Sequence, residues 1–277
     1  MKKNKLTAAD PVQPVAPYLG GKRNLAKRIT AVLDATFHTT YAEPFVGMGG
    51  IFLRRSMRPR AEVINDYGRD VSNLFRILQQ HYPQFLEVLR FQITTRAEFE
   101  RLTQVDPTTL TDLQRAARFL YLQRTAFGGK ISGQNFGVSK DRPGRFNLTT
   151  LEPMLEDLHT RLAGVVIECL DFAEFIRRYD GVGTLFYLDP PYWGCEKDYG
   201  KEMFDPESFD ALADQLGRIK GRFLMSINDV EPIRERFAAF EMTPVSTTYT
   251  VAKDVGSRGA RAELLISNFK FCHAGLK

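Results

Sequence analysis

Thr184-Leu185-Phe186-Tyr187-Leu188-Asp189-Pro190-Pro191-Tyr192 is the stretch from which the rest of the chain can be read. A run of large, mostly apolar residues bounded by Gly183 and a double proline predicts a buried strand that stops abruptly. Pro190 and Pro191 have no amide hydrogen and a fixed φ, and each pushes the residue before it toward extended geometry, so the turn is stiff. Such a turn can set the Asp189 carboxylate and the Pro190 carbonyl side by side as acceptors for one planar NH2 group, with the Tyr192 ring as a stacking surface. An exocyclic amine of a base such as adenine is a weak nucleophile because its lone pair is delocalised into the ring. Two acceptors aimed at its hydrogens favour a tetrahedral nitrogen and stabilise the positive charge that develops as it attacks an electrophile. Alkylation is the expected outcome. A strand end with a surface aspartate would look the same in isolation, so partner motifs must decide.

Working backward, Glu43-Pro44-Phe45-Val46-Gly47-Met48-Gly49-Gly50 follows a short strand from Thr40 and precedes an apolar segment. A strand ending in an acidic residue, then a glycine-rich turn, opens a nucleotide-binding βα unit. GxGG lacks the full GxGxxG dinucleotide pattern, so a nucleoside fits better than a pyrophosphate. A second strand, Ala61 to Ile64, ends at Asn65-Asp66, placing a carboxylate where ribose hydroxyls can donate to it. Ahead of these lies Pro17-Tyr18-Leu19-Gly20-Gly21-Lys22, where backbone amides and a cation precede a helix expected over Asn24 to Asp34. Residues 1–16, rich in lysine and proline, are expected to form a flexible leader.

From Val71 to about Leu102, and again from Leu113 to Phe127, the apolar spacing is helical. The segment from Phe127 to Asn147 has a different texture, mixing glycines and phenylalanines with Lys130, Lys140, Arg142 and Arg145. Basic side chains can contact phosphates, amides can read base edges, and an exposed Phe can stack on bases or wedge between them. Strands then resume at Val165 to Leu170, ending at Asp171-Phe172, and at Arg222 to Ile227. A hairpin of Thr247 to Val251 with Ala262 to Phe269 closes the chain and brackets a basic loop, Lys253 to Arg261. Strands alternating with helices predict a mainly parallel sheet with ligands outside its carboxyl ends, where Glu43, Asp66, Asp171 and Asp189 all fall.

Composition sets the outer bounds. The chain has 277 residues and a formal net charge of +5, which permits a polyanionic partner without demanding one. No apolar run approaches the roughly 20 residues of a membrane span, and the start lacks the apolar core of a signal peptide, so a cytoplasmic protein is expected. Three dispersed cysteines and four scattered histidines suggest neither a disulfide framework nor a metal site.

PYLGGK, EPFVGMGG, a helical insertion and DPPY, in that order, resemble the Dam-like (D12 class, α-group) DNA adenine N6-methyltransferases over nearly the whole chain after Ala16. The resemblance implies a Rossmann-like S-adenosylmethionine-dependent α/β fold, with an antiparallel C-terminal strand and a helical DNA-recognition insertion. It implies a catalytic domain at 17–74 and 151–277, with the inserted target-recognition region at 75–150. S-Adenosyl-L-methionine would be the methyl donor and adenine in double-stranded DNA the acceptor. A monomer is expected, with no motif that speaks to the oligomeric state. Carried over by position, Tyr18 and Lys22 belong beside the methionine moiety, and Glu43, Pro44, Phe45 and Gly47 wrap the donor. Asp66 belongs on the ribose, Asp171 and Phe172 on the donor adenine, and Asp189, Pro190, Pro191 and Tyr192 on the target base. DNA contacts are expected from Arg124, Phe127, Lys130, Ser132, Gln134, Asn135, Lys140, Arg142 and Arg258. Ser132 stands where members specific for GATC carry a guanine-reading arginine, so that specificity does not carry over. Other amine acceptors, such as cytosine N4 or RNA adenine, and a non-catalytic DNA-binding relative are the alternatives.

Overall fold

The computed structural model describes residues 6–18, 20–131, 133–138, 141, 143–194, 204–248 and 260–271. The strands are β1 (Thr7–Ala8), β2 (Thr40–Glu43), β3 (Met57–Arg58), β4 (Ala61–Asn65), β5 (Val166–Glu168), β6 (Thr184–Leu188), β7 (Arg222–Asn228), β8 (Glu241–Thr248) and β9 (Ala260–Ser267). Seven of them form one sheet in the order β5-β4-β2-β6-β7-β9-β8, while β1 and β3 make a separate antiparallel pair. From β5 to β7 every neighbour is parallel; β9 runs antiparallel to both β7 and β8. This is the mainly parallel α/β sheet, with an antiparallel C-terminal strand, expected from the alternation of elements. The chain moves from β2 outward to β4 and β5, then returns to build β6 and β7 on the other side. The carboxyl ends of β2 and β6 therefore flank the switch point, where open α/β sheets hold their ligands.

Both faces of the sheet are covered, and the strands show it by alternation. Tyr41, Ile64, Leu185, Tyr187, Leu224 and Leu265 face one apolar core; Ala42, Val63, Phe186, Leu188, Phe223 and Met225 face the other. The first core takes helices α1 (Ala26–Ala35), α2 (Arg69–Gln80), α3 (Tyr82–Leu89), α4 (Arg96–Gln104), α5 (Asp112–Thr125) and α6 (Leu148–Arg161). The second takes α7 (Phe172–Tyr179), α8 (Pro206–Leu216) and α9 (Glu231–Arg236).

Several expectations change. The leader is not loose over residues 6–16: β1 pairs with β3, Val12 N donates to Leu53 O at 2.8 Å, and Val15 is fully buried. Two buried valines outweigh the lysines and prolines that made this stretch look detached. The domain boundaries at 74/75 and 150/151 fall inside α2 and α6, because Val71, Leu74, Phe75 and Leu78 form one continuous buried helix face. Among the described residues the insertion shares its core with the rest of the chain: Phe85, Phe99 and Leu120 lie in the cluster that covers the sheet. The strand after α6 is shorter than Val165 to Leu170, and β8 starts at Glu241, ahead of Thr247.

Candidate active site

The carboxyl ends of β2, β4 and β6 open into a cleft of about 610 Å³, lined among others by Tyr18, Lys22, Glu43, Phe45, Asp66 and Asp189. Its floor is the turn after β2. Gly47 sits at φ +50°, and a Cβ there would lie 2.9 Å from the Tyr18 ring, so a side chain would close the approach. Asp66 secures this turn: Oδ2 accepts from Gly47 N at 2.9 Å and Oδ1 from Gly68 N at 2.8 Å. Asn65, one residue earlier, donates to Pro44 O at 2.9 Å and Leu170 O at 3.0 Å. Three strand-end loops are thereby tied together. Burial pushes the Asp66 carboxyl up to about 6 against the opposing pull of the two amides.

At the other wall, Lys22 is 2% exposed, and its Nζ lies 2.8 Å from Asp189 Oδ1 and 3.8 Å from Glu263. Lys22 also donates to the Tyr192 hydroxyl. Ser226 Oγ donates to the same Asp189 oxygen at 3.2 Å. Desolvation raises the Asp189 carboxyl to about 6, with Lys22 as the main opposing influence, so it is largely ionised at neutral pH. Glu43, more deeply buried and receiving the Tyr41 hydroxyl at 2.5 Å, is raised to about 8 and is mostly protonated there. Burial thus raises two carboxyls at adjacent strand ends, Glu43 further than Asp189, whose Lys22 partner opposes the rise.

Not every residue expected on the donor lines the cleft. Asp171 is exposed and caps α7, accepting from Ala173 N at 2.8 Å. Phe172 reaches the cleft only through Phe45, whose ring centroid is 5.8 Å away. Pro44 contributes its carbonyl to Asn65. In the insertion, the Arg124 guanidinium donates to Val15 O and Arg145 O, bracing the N-terminal segment. Gln134 folds back onto Lys130 O at 2.8 Å, whereas Phe127 and Asn135 are exposed. Ser132, Lys140, Arg142 and Arg258 lie outside the described residues. Sequence reasoning passed over Ser226, Asn228 and Glu263. Their signal was present as polar residues interrupting buried apolar strands.

The cleft suits a nucleoside-sized donor in volume, in the glycine floor and in the carboxylate of Asp66. Among the described residues no group of three His, Cys, Asp or Glu side chains is arranged to hold a metal, and no helix is long and apolar enough to cross a membrane.

Comparison with known proteins agrees with this chemistry. The type II methyltransferase M1.LlaDCHI of Lactococcus lactis subsp. cremoris is 26% identical, covering 97% of this chain and 98% of its own. The type II methyltransferase M.CviBI of Paramecium bursaria Chlorella virus NC1A is 23% identical over 93% of this chain and 100% of its own. The DNA N-6-adenine-methyltransferase of Escherichia phage P1 is 25% identical over 93% of this chain, which spans 36% of that protein. Among solved structures, a precorrin 8w decarboxylase of Methanobacterium thermoautotrophicum aligns at 12% identity over 95% of this chain and 100% of that one. Its TM-score of 0.37 is too low to bear on the fold, which stands on the strand order itself. The profile of D12 class N6 adenine-specific DNA methyltransferases matches residues 18–251. With that match spanning both the glycine turn and the DPPY turn, this chain belongs to the D12 class N6 adenine-specific DNA methyltransferases and uses S-adenosyl-L-methionine to methylate adenine in DNA.

Proposed function

We propose that Asp189, the Pro190 carbonyl and Tyr192 form the station that receives a flipped-out adenine from double-stranded DNA, with the donor held in the cleft beside it. The observation that carries this reading is the placement of Asp189 Oδ1. It is held by both Lys22 and Ser226, so Oδ2 is the oxygen we assign to the target amine. Asp189 and the Pro190 carbonyl accept the two amino hydrogens, and the bonds strengthen as positive charge develops on nitrogen. Pro191 keeps the turn rigid, and Tyr192 stacks on the base. When bound, S-adenosyl-L-methionine supplies an electrophilic methyl group.

On the donor side, Tyr18, Phe45 and Gly47 shape the cleft, and Glu43 and Pro44 set the turn that carries them. Lys22 lies between the two sites and holds Asp189 ionised. Asp66 offers its remaining lone pairs to ribose hydroxyls, while Asp171 and Phe172 border the far end. DNA is gripped by Phe127, Lys130 and Asn135, joined on sequence grounds by Ser132, Lys140, Arg142 and Arg258. Flipping the adenine costs a few kcal/mol of unstacking, which contacts to the flanking strand offset. The enzyme acts as a monomer in the cytoplasm. Expressing the chain in a host lacking adenine methylation and mapping the marked adenines tests the whole reading. Marks at a defined set of adenines, lost in Asp189→Ala, support it; marks that persist in Asp189→Ala refute the site.

A further inference from the structure

We infer that Ser226 and Asn228 of β7 are positioning residues that clamp the Asp189 to Tyr192 turn from both ends, Ser226 on the acceptor carboxylate and Asn228 on the backbone just beyond Tyr192. The inference rests on Asp189 being the acceptor proposed above and adds the device that aims it.

The need for such a clamp follows from the turn's own chemistry. Pro190 and Pro191 contribute no N–H, so two consecutive positions cannot donate to a neighbouring strand. The ladder between β6 and β7 ends at Leu188 opposite Met225, leaving the turn to be held by side chains. Residues 226 and 228 lie two apart on a strand and share one face. Ser226 Oγ reaches Asp189 Oδ1 at 3.2 Å. Asn228 Oδ1 accepts from Trp193 N at 3.0 Å, and its Nδ2 donates to Trp193 O at 3.1 Å. One amide therefore engages both backbone groups of a single residue, as a partner strand would.

Ser226 is fully buried in a strand whose neighbours Met225 and Ile227 are apolar. A hydroxyl at such a place is costly unless bonded, and packing alone would be served by an apolar residue. Its partners explain it. Tyr187, also fully buried, places its hydroxyl 2.7 Å from Ser226 Oγ, so the chain Tyr187, Ser226, Asp189, Lys22 runs beneath the turn as one connected set. Lys22 and Ser226 approach the same carboxylate oxygen from different elements, which fixes the rotation of the group about its Cβ–Cγ bond and leaves its second oxygen facing a constant direction.

Asp189 is faced by Lys22 ahead of α1, Glu263 from β9, Glu43 from β2 and Tyr187 from β6, with Tyr192 bonded to Lys22. Within that set Ser226 is a neutral donor to the charged form. Removing it destabilises the carboxylate relative to the acid, so the acid limb of the rate profile must move to higher pH.

The test is methyl transfer to duplex DNA, followed across pH for wild type, Asp189→Ala, Ser226→Ala, Tyr187→Phe and Asn228→Ala, with donor affinity measured by calorimetry on each. In Ser226→Ala, kcat falls roughly tenfold, the loss expected for one hydrogen bond to a charged group. Its donor Kd and DNA KM stay within about twofold of wild type, and the acid limb shifts upward, a combination that simple loss of packing does not give. Asn228→Ala lowers kcat with the limb in place, because it holds backbone alone. Wild-type kcat and an unmoved limb in Ser226→Ala overturn the inference. Should Ser226→Ala fail to bind donor, Tyr187→Phe decides: a smaller shift of the same sign supports the clamp, and a wild-type profile overturns it. An active Asp189→Ala breaks the site assignment instead, and so is told apart from failure of the clamp.

Discussion

At the sheet rim, charged side chains are held by other side chains and by loop amides, whereas several polar side chains of α5 and of the loop after it are held by backbone carbonyls. Lys22 is gripped by Asp189 and Glu263, and Asp66 receives Gly47 and Gly68. By contrast, Arg118 donates to Leu102 O, Arg124 to Arg145 O, Arg145 to Ala126 O, and Gln123 to Pro17 O and Gly129 O. The first arrangement fixes charges relative to one another, which a reaction that develops charge requires. The second uses polar groups to shape a long irregular loop and leaves Phe127 and Asn135 outside. Rim substitutions should therefore change chemistry or donor binding. Those in the insertion should change DNA affinity or stability.

Asp189→Ala should break the rim most severely, lowering methyl transfer about 10²–10³-fold with donor binding retained, as single-turnover assays would read. Equal activity in that variant would remove the contrast altogether. Acid should act on the same group. Because Asp189 titrates at about 6 and works as a carboxylate, protonation below that pH removes the acceptor, and kcat should fall toward tenfold per pH unit. A profile flat down to pH 5 would move the acceptor role elsewhere. Asp66→Asn should weaken donor affinity roughly tenfold by equilibrium titration, through loss of charge-assisted bonds, with a smaller change in kcat at saturating donor.

On the insertion side, Phe127→Ala should raise the KM for DNA by about tenfold if the ring stacks on bases, leaving donor Kd unchanged. A changed donor Kd would mean that the two regions are not separable. Arg124→Ala sharpens the comparison through its small effect on function. Lost bracing should cost about 1–2 kcal/mol of stability, seen as a Tm lower by several degrees, while the salt dependence of DNA binding stays the same.

The readable parts of the molecule were those built from neighbours in the chain. β6 announced itself by five buried residues ending at two prolines, and the β2 turn by a glycine pattern whose positive φ at Gly47 and Gly49 permits it. The four acidic strand tips were found, yet only three line the cleft, because Asp171 turned to cap α7. Arg124 shows a related ambiguity. A basic residue beside a glycine-rich loop looks the same whether its guanidinium faces phosphate or two carbonyls, one of them 109 residues away at Val15.

Local sterics and the two-residue alternation of strands are properties of adjacent residues, and so the strands, the DPPY turn and the glycine floor were legible in the sequence by itself, while the resemblance carried by its ordered motifs named the chemistry. The tertiary structure alone decided which charges meet. Lys22 and Asp189 are far apart in the chain, and so are Ser226 and Asp189; β2, β6 and β7 bring them together only once their backbones have paired. Hydrophobic burial selects that pairing without regard to the polar groups, which must then find partners among whatever it places nearby. The proton states of Asp189 and Glu43 and the bracing by Arg124 arise at that step.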